Sequence, residues 1–342
     1  MKTVLEGNKQ VKIVDVPIPK AEPGSGMVLA KVLASAVCGS EREIWAREIG
    51  PDEAFYNFGH EAIAEIVDAN GSERLHNGQR VAVQIHNYCG KCYYCKKGLY
   101  IFCTDRHQKA VMCHAQYVLL PEPCFFPIDE DIPPEIAVLL GGDCMGVANR
   151  ALKQVSFEKG EWVFVSGAGP VGLGVIFMAK AMGARVVVSD FSEMRRRFAT
   201  EHAGAEIALN PAAQDVHKEL LDLTGGLGPF VIIECSGNPA AQAQALEWCR
   251  CQGHVVFCGQ NYGKLEFEPS NQVIHKEMNI HGARYYVPDD VKDIVKMYRE
   301  GMNPKDLISD IVSIDEAPAL MNDFFIGNTG GKVIILPNGK VD

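Results

Sequence analysis

Gly167-Ala168-Gly169-Pro170-Val171-Gly172 follows the apolar run Trp162–Ser166 and opens the helix-like segment Val171–Met182. In such a turn between a strand and a helix, the first glycine permits the tight turn and the second lets the backbone approach a pyrophosphate. The third lets the helix pack closely on the strand, and the helix N-terminus offers free N–H groups and a positive dipole to phosphates. The pattern therefore predicts a dinucleotide-binding turn with the contact residues Gly167, Gly169, Pro170, Val171 and Gly172.

Apolar strands and amphipathic helices alternate from about residue 160 onward. Strands separated by helices of this length form right-handed βαβ units and a buried parallel sheet. The alternation therefore predicts an α/β fold with a Rossmann doubly wound parallel sheet. The predicted strands are Trp162–Ser166, Arg185–Asp190, Phe230–Glu234, His254–Cys258 and Asn279–Arg284, and the predicted helices are Val171–Met182, Glu193–Ala203 and Ala240–Trp248.

Asp190 closes the second predicted strand, 18 positions after Gly172. A carboxylate at this place can accept hydrogen bonds from both ribose hydroxyls of NAD, and it would repel the 2′-phosphate of NADP. An aspartate here could also simply cap the next helix. Three arginines, 195–197, follow on that helix, but a charge run of this kind is more often a solvated face. The pattern favours NAD.

The first 145 or so residues show a different pattern of short β-like runs broken by Gly, Pro and Asn, which predicts a compact, barrel-like β domain. After the parallel-sheet region, a helix near Val291–Glu300 and a late strand, Lys332–Leu336, suggest a C-terminal return to this first domain. The runs in the first domain are Val11–Val14, Met27–Val32, Ala62–Val67 and Val81–Val83.

Composition excludes several classes of function. The 342 residues are enough for two domains, and 47% hydrophobic with 22% charged residues is ordinary for a globular protein. The net charge of −10 repels phosphate backbones and argues against a nucleic-acid partner. No apolar run approaches the roughly 18 residues of a membrane span, and the N-terminus lacks the apolar core of a signal peptide. We therefore expect a cytoplasmic protein with neither a membrane nor a nucleic-acid partner.

Four of the twelve cysteines are clustered, with the spacing Cys89-x2-Cys92-x2-Cys95-x7-Cys103. Four thiolates at this density suit a closed, tetrahedral structural zinc site. The bacterial ferredoxin run that holds an iron–sulfur cluster has a different last gap and a following proline. Three histidines flank the cluster (His86, His107 and His114), but four thiolates already complete the zinc shell, so we assign them no role.

Two shorter motifs complete a recognisable set: Cys38-Gly39-Ser40-Glu41 after one apolar strand and Gly59-His60-Glu61 before another. Taken singly, Cys38 and His60 would be interior residues. Together with the four-cysteine lobe and the glycine-rich turn, in this order, they resemble the medium-chain zinc-dependent alcohol dehydrogenase family, in its sorbitol and threonine dehydrogenase-like branch. The resemblance implies a GroES-like β-barrel catalytic domain over 1–145 with its zinc lobe at 89–103. It further implies an NAD-binding Rossmann domain over 146–284, a return over 285–342, and a homodimer or homotetramer.

The same resemblance implies the site residues and two Zn²⁺ ions per chain, one catalytic and one structural. Cys38 and His60 would be catalytic zinc ligands, and Glu61 would be an exchangeable ligand. The third fixed ligand would be Asp143, with Cys144 as the rival one residue along. Ser40 would contact the substrate oxygen and start proton release. Zinc would lower the pKa of the alcohol so that hydride can pass to the nicotinamide.

Two departures from the family pattern involve Glu41 and Glu43, which stand where many relatives carry Asp and a proton-relay His. Glu41 could still orient His60, whereas Glu43 cannot act as an imidazole. The sequence thus favours hydride transfer between a small-molecule secondary alcohol, a polyol, sugar or cyclitol, and NAD. A threonine-type or aminocyclitol amino-alcohol dehydrogenase is the alternative. A non-catalytic nucleotide-binding relative is a further alternative, although it would be expected to lose Cys38 or His60 first.

Overall fold

The computed structural model describes residues 1–50, 53–105 and 112–340. Within these ranges the chain forms fifteen β-strands and nine α-helices, joined by short 3₁₀ and π turns. The strands are β1 (Lys2–Gly7), β2 (Gln10–Asp15), β3 (Met27–Ala36), β4 (Glu61–Asp68), β5 (Arg80–Val83), β6 (Tyr117–Pro121), β7 (Phe125–Pro127), β8 (Trp162–Ser166), β9 (Arg185–Ser189), β10 (Ile207–Leu209), β11 (Val231–Glu234), β12 (His254–Phe257), β13 (Asn279–Gly282), β14 (Ile308–Ser313) and β15 (Lys332–Leu336). The helices are α1 (Glu41–Ala46), α2 (Pro134–Leu140), α3 (Asp143–Leu152), α4 (Pro170–Ala181), α5 (Glu193–Glu201), α6 (Val216–Leu223), α7 (Pro239–Trp248), α8 (Pro288–Arg299) and α9 (Ala317–Ile326).

The described residues form two compact units. The first comprises those of Met1–Asp143, Val287–Val295 and Ile308–Asp342, and the second comprises Cys144–Tyr286 and Lys296–Leu307. The domain boundaries given above, 1–145, 146–284 and 285–342, stay a prediction.

The first unit is built on a seven-stranded sheet in the order β14-β15-β3-β4-β5-β7, with β6 also paired to β3. Every pair in it is antiparallel except β14–β15. The four runs predicted as strands all lie in β2, β3, β4 and β5. Strand β3 is central to this sheet, because its ten residues are long enough to pair with β4, β6 and β15. Most of its residues are buried, as expected for an inner strand.

The register of β3 and β4 decides where functional side chains come together. Ala36 at the end of β3 faces Glu61 at the start of β4. Cys38 lies two residues beyond Ala36 and His60 lies one residue before Glu61, so the pairing brings two short motifs side by side although 22 positions separate them in sequence. Lys332 begins β15, which pairs with the same end of β3.

The second unit contains a six-stranded sheet in the order β10-β9-β8-β11-β12-β13, and every pair is parallel. The predicted Rossmann sheet is confirmed. Strands β8 and β11 lie next to each other although β9 and β10 come between them in the chain, which is the point where a doubly wound sheet opens a crevice at its carboxyl edge. The core of the sheet packs Phe164, Val187, Ile232 and Val255 with Leu220 of α6.

Two elements of this unit, β10 and α6, were not predicted. Strand β10 has only three residues, too short for a period-2 pattern to stand out. Helix α6 has only eight residues. No helix among residues 1–50, 53–105 and 112–340 combines the length and apolarity that crossing a bilayer requires.

Candidate active site

Four buried side chains of the first unit converge where β3 ends and β4 begins: Cys38, His60, Glu61 and Asp143. Each offers one ligand-type atom, and these atoms all lie within 4.8 Å of one another. Asp143 is the first residue of α3, and its side chain contacts both Cys38 and His60. The structure thus brings together all four residues that the resemblance implies as the catalytic metal site.

The distances and charges within this cluster fit a zinc ion. Asp143 Oδ2 lies 3.1 Å from His60 Nε2 and 3.7 Å from Cys38 Sγ. Burial raises the pKa of the Cys38 thiol, and the nearby Glu61 and Asp143 carboxyls raise it further while His60 opposes them. One thiol, one imidazole and a carboxylate are ligands that zinc takes in proteins, and a cation would offset the buried negative charge of this set.

Two hydrogen-bond donors hold the Glu61 carboxylate in place within the cluster. Its Oε1 accepts from Lys332 Nζ at 2.5 Å, and its Oε2 accepts from the Asp143 N–H at 3.0 Å. Lys332 is 1% exposed and Glu61 is fully buried. Burial raises the pKa of Glu61, and Lys332 counteracts that rise. A Cβ at Gly142 would lie 2.4 Å from the Val138 carbonyl oxygen and 2.5 Å from Glu61 Oε2, so the backbone contact favours glycine at this position.

Lys332 is a site residue that the sequence analysis missed. It lies 271 positions from Glu61, and no motif connects the two. The available signal was a lysine at the start of an otherwise wholly apolar strand, Lys332-Val333-Ile334-Ile335-Leu336. A cation at such a position requires a buried anionic partner.

Asp143 and Cys144 differ in where their side chains are engaged. The Cys144 thiol donates to the Pro170 carbonyl at 3.2 Å, within the second unit, whereas Asp143 contacts His60 and Cys38 in the first. This geometry supports Asp143 as the third ligand. Both residues are buried, at 7% and 0% exposure respectively.

Ser40 and Glu43 are both exposed at the start of α1. Ser40 is the N-cap residue, yet its side chain makes no capping hydrogen bond. The hydroxyl is therefore not consumed by the helix, which is compatible with the substrate contact that the resemblance implies.

Glu41 lies behind the cluster and contacts several of its members. Its Oε1 accepts from the Cys38 N–H at 3.0 Å and lies 3.8 Å from His60 Nδ1, which also has the Phe58 carbonyl 3.2 Å away. Its Oε2 lies 2.9 Å from Nε2 of His114. Burial alone would raise the pKa of Glu41, but His114 and His60 outweigh it and lower that pKa. Glu41 thus faces His60 as an electrostatic partner.

His114 is the second site residue missed from the sequence, where it was dismissed as a bystander of the cysteine lobe. It is fully buried between Glu41 and Ser35, with its Nδ1 3.0 Å from Ser35 Oγ. Of the other two histidines dismissed with it, His86 is buried and His107 lies outside the described residues.

The four lobe cysteines also come together, with their Sγ atoms all within 4.8 Å of one another. The Cys89 N–H donates to Cys103 Sγ and the Cys92 N–H donates to Cys89 Sγ, both at 3.4 Å. Backbone N–H groups of Cys95 and Thr104 lower the pKa of Cys92 to about 6, which favours the thiolate that zinc requires. The geometry supports the predicted structural zinc lobe.

The glycine-rich turn of the second unit has the steric properties that dinucleotide binding requires. Gly167 has a φ of +94°, and a Cβ there would lie 3.0 Å from the Ser236 nitrogen. A Cβ on Gly172 would lie 1.9 Å from the Gly167 carbonyl oxygen. A Cβ on Gly169 would meet nothing within 4 Å, so the space above this residue is open. Pro170 and Val171 form the first turn of α4.

Asp190 is tied to this turn by two backbone donors. Its Oδ2 accepts from the Ala168 N–H at 2.9 Å and its Oδ1 accepts from the Ser192 N–H at 2.8 Å. Arg196 donates to the carbonyl oxygens of Asp190 and Phe191. The carboxylate is therefore fixed beside the glycine-rich turn, at the position predicted to face the ribose of a dinucleotide.

Two family models match the chain. The alcohol dehydrogenase GroES-like domain matches residues 24–130, and the zinc-binding dehydrogenase model matches residues 170–300. The first covers the Cys38, His60 and four-cysteine motifs, and the second begins inside the glycine-rich turn.

Curated relatives and solved structures agree with these matches. The L-threonine 3-dehydrogenase of Pyrococcus furiosus is 36% identical, over 82% of this chain and 81% of that protein. The L-galactonate-5-dehydrogenase of Escherichia coli K12 is 32% identical, over 86% and 85%. A protein from E. coli CFT073 that is described as a short chain alcohol dehydrogenase, solved in complex with NADH, is 25% identical with a TM-score of 0.84, covering 98% of this chain and 99% of that one. The chain belongs to the medium-chain zinc-dependent alcohol dehydrogenase family and is an oxidoreductase that acts on alcohols with zinc and a nicotinamide cofactor.

Proposed function

We propose that this protein oxidises a secondary alcohol group of a polyol, sugar or cyclitol with NAD. The observation that carries the proposal is the convergence of Cys38, His60 and Asp143 within one buried cluster. The galactonate dehydrogenase relative acts, by its name, on a polyhydroxy acid, which supports this substrate class.

Two zinc ions per chain are part of the proposal. Cys38, His60 and Asp143 would hold the catalytic ion, with Glu61 as an exchangeable ligand, and Cys89, Cys92, Cys95 and Cys103 would hold the structural one. The catalytic ion supplies Lewis acidity, which makes an alcohol proton easier to remove. Ser40, whose exposed hydroxyl no capping bond occupies, would relay that proton: it accepts the proton of the alcohol and releases its own to solvent. The Glu41 carboxylate lies near Nδ1 of His60 and helps to hold the imidazole ring in one orientation.

NAD rather than NADP is the proposed cofactor. Asp190 presents a carboxylate held by Ala168 and Ser192, and such a group accepts from the ribose hydroxyls. A 2′-phosphate would place a second negative charge beside it. Of the arginines in the run 195–197, Arg196 is bound to backbone carbonyls and Arg197 lies 3.3 Å from Glu201, so both already have partners.

An amino-alcohol substrate of the threonine type is the second candidate. The 36% identity to a threonine dehydrogenase favours it, as does Glu43, an exposed carboxylate on α1 that could hold an ammonium group. We also propose a cytoplasmic homodimer or homotetramer without nucleic-acid or membrane partners.

A substrate panel tests these proposals. Initial rates with NAD and NADP are measured on sorbitol, galactonate, a cyclitol, an aminocyclitol and L-threonine. The proposal expects the highest kcat/KM with NAD and a polyhydroxy substrate. Highest activity on threonine or the aminocyclitol selects the second candidate, and a preference for NADP refutes the assignment of Asp190. Glu43→Gln is the discriminating variant, because it should lower activity only on the amine-bearing substrates.

A further inference from the structure

Glu6 is a buried acid with no conventional partner. It lies in β1 and is fully buried, and among the described residues no N–H or O–H donor reaches either of its carboxylate oxygens. An ionised carboxylate in such a place would be an uncompensated buried charge, which is strongly disfavoured. A neutral carboxylic acid, by contrast, carries a proton and needs an acceptor.

The acceptor is within reach. Glu6, Glu41 and His114 each offer an atom within 4.8 Å of the other two, so the Glu41 carboxylate lies beside Glu6. Burial and the neighbouring Glu41 charge raise the pKa of Glu6 to about 10. Two carboxyl groups that share one proton carry a single negative charge instead of two.

We propose that Glu6 is a neutral carboxylic acid whose O–H donates to Glu41 and thereby positions the carboxylate that faces His60 and His114. Glu6 is thus a positioning residue for the metal cluster. This inference rests on the proposed function only where it takes His60 as a zinc ligand. The protonation of Glu6 does not depend on the proposed function.

The backbone of Glu6 reinforces this role. Its N–H donates to the Tyr56 carbonyl at 2.6 Å, and the Tyr56 N–H donates back at 3.0 Å. Tyr56 stands four residues before His60, and Asn57 in the same segment donates to the His114 carbonyl at 3.2 Å. The backbone of Glu6 therefore anchors the segment that leads to His60. Its side chain holds the Glu41 carboxylate, which lies behind His60.

A divalent cation held by Glu6, Glu41 and His114 is the competing arrangement. It would require both carboxylates to be ionised and would neutralise them by coordination rather than by a proton. The two arrangements differ in infrared absorption and in metal content, so one set of variants separates them.

The experiment compares wild-type holoenzyme with Glu6→Gln, Glu6→Leu and the exposed control Glu65→Gln. In Glu6→Gln the amide can still donate to Glu41, whereas Glu6→Leu removes the donor. Infrared difference spectra at neutral pH should show a protonated carboxyl stretch in wild type and in Glu65→Gln that both Glu6 variants lack. Catalytic zinc retention against a chelator should be near wild type in Glu6→Gln and roughly 10- to 100-fold weaker in Glu6→Leu.

Either of two results overturns the proposal. One is a carboxyl band that persists in Glu6→Gln, and the other is a third metal equivalent in wild type that Glu6→Gln loses. Since Glu6→Gln preserves the shape of the side chain, the spectrum can be read even if Glu6→Leu fails to fold. A Glu6-dependent band in a protein without dehydrogenase activity would uphold the assignment of Glu6 and refute the proposed function alone.

Discussion

Breaking the buried ion pair between Lys332 and Glu61 from one side should be among the most destabilising single substitutions in the first unit. The two charges are 2.5 Å apart, and their side chains are 1% and 0% exposed. In Lys332→Met the side chain keeps a similar length but loses the cation, and Glu61 keeps the hydrogen bond from the Asp143 N–H without its charged partner. Removing one partner of such a pair costs about 3–5 kcal/mol, because the remaining charge stays buried without compensation.

A matched pair at the surface gives the control. Lys218 and Asp222 on α6 are 2.6 Å apart, but their side chains are 69% and 62% exposed. Water and salt screen such a pair, so Lys218→Met should leave the stability close to that of the wild type. The two substitutions remove the same charge at nearly the same distance and differ in burial.

Urea denaturation, followed by circular dichroism and by tryptophan fluorescence, measures both effects. We expect a much lower midpoint for Lys332→Met and a near-normal one for Lys218→Met. The double variant Lys332→Met/Glu61→Gln should recover most of the loss, because it no longer buries an unpaired charge. A Lys332→Met protein as stable as Lys218→Met would refute the reasoning, as would a double variant less stable than Lys332→Met alone.

Three further predictions concern the cofactor turn and the zinc lobe. Gly172→Ala places a Cβ 1.9 Å from the Gly167 carbonyl oxygen and should destabilise the second unit by about 1–3 kcal/mol. Gly169→Ala, with open space around its Cβ, should fold normally. Thermal unfolding compares the two variants, and equal melting temperatures would contradict the steric argument. Asp190→Ala should weaken NAD binding by about tenfold or more, since hydrogen bonds to a charged group contribute about 1.5–3 kcal/mol. Calorimetry measures the affinities for NAD and NADP, and an unchanged NAD affinity would contradict the role of Asp190. Cys92→Ser should release one zinc ion and make residues 89–103 sensitive to protease. Cys251→Ser, at an exposed cysteine, should do neither. Unchanged zinc content in Cys92→Ser would refute the assignment of a structural zinc to these residues.

Local patterns were enough to predict most of the fold. The glycine-rich turn and the strand–helix alternation are short-range features, and the four inner strands of the parallel sheet, β8, β9, β11 and β12, are mostly apolar runs. Strand ends were less predictable. The strand expected over Asn279–Arg284 ends at Gly282, and the one expected over Phe230–Glu234 begins at Val231.

The surroundings of the site could not be predicted in the same way. Glu6 and His114 lie beside Glu41, and Lys332 contacts Glu61, only through the pairing of distant strands and loops, and none of the three stands in a motif with the predicted ligands. Glu6 in particular looks like an ordinary surface position in Lys2-Thr3-Val4-Leu5-Glu6, because a single acid in a short strand gives no sign of which face is buried. The ligand motifs could be proposed from the sequence because a shared order of Cys38, His60 and the four-cysteine lobe is specific even when each residue alone is not.

Zinc content per chain tests the central claim most directly, measured by elemental analysis on wild type, Asp143→Ala and Cys144→Ala. The account predicts two zinc ions in wild type, one in Asp143→Ala and two in Cys144→Ala, because the Cys144 thiol is engaged with the Pro170 carbonyl. A single zinc in wild type, or a loss in Cys144→Ala with none in Asp143→Ala, would contradict it.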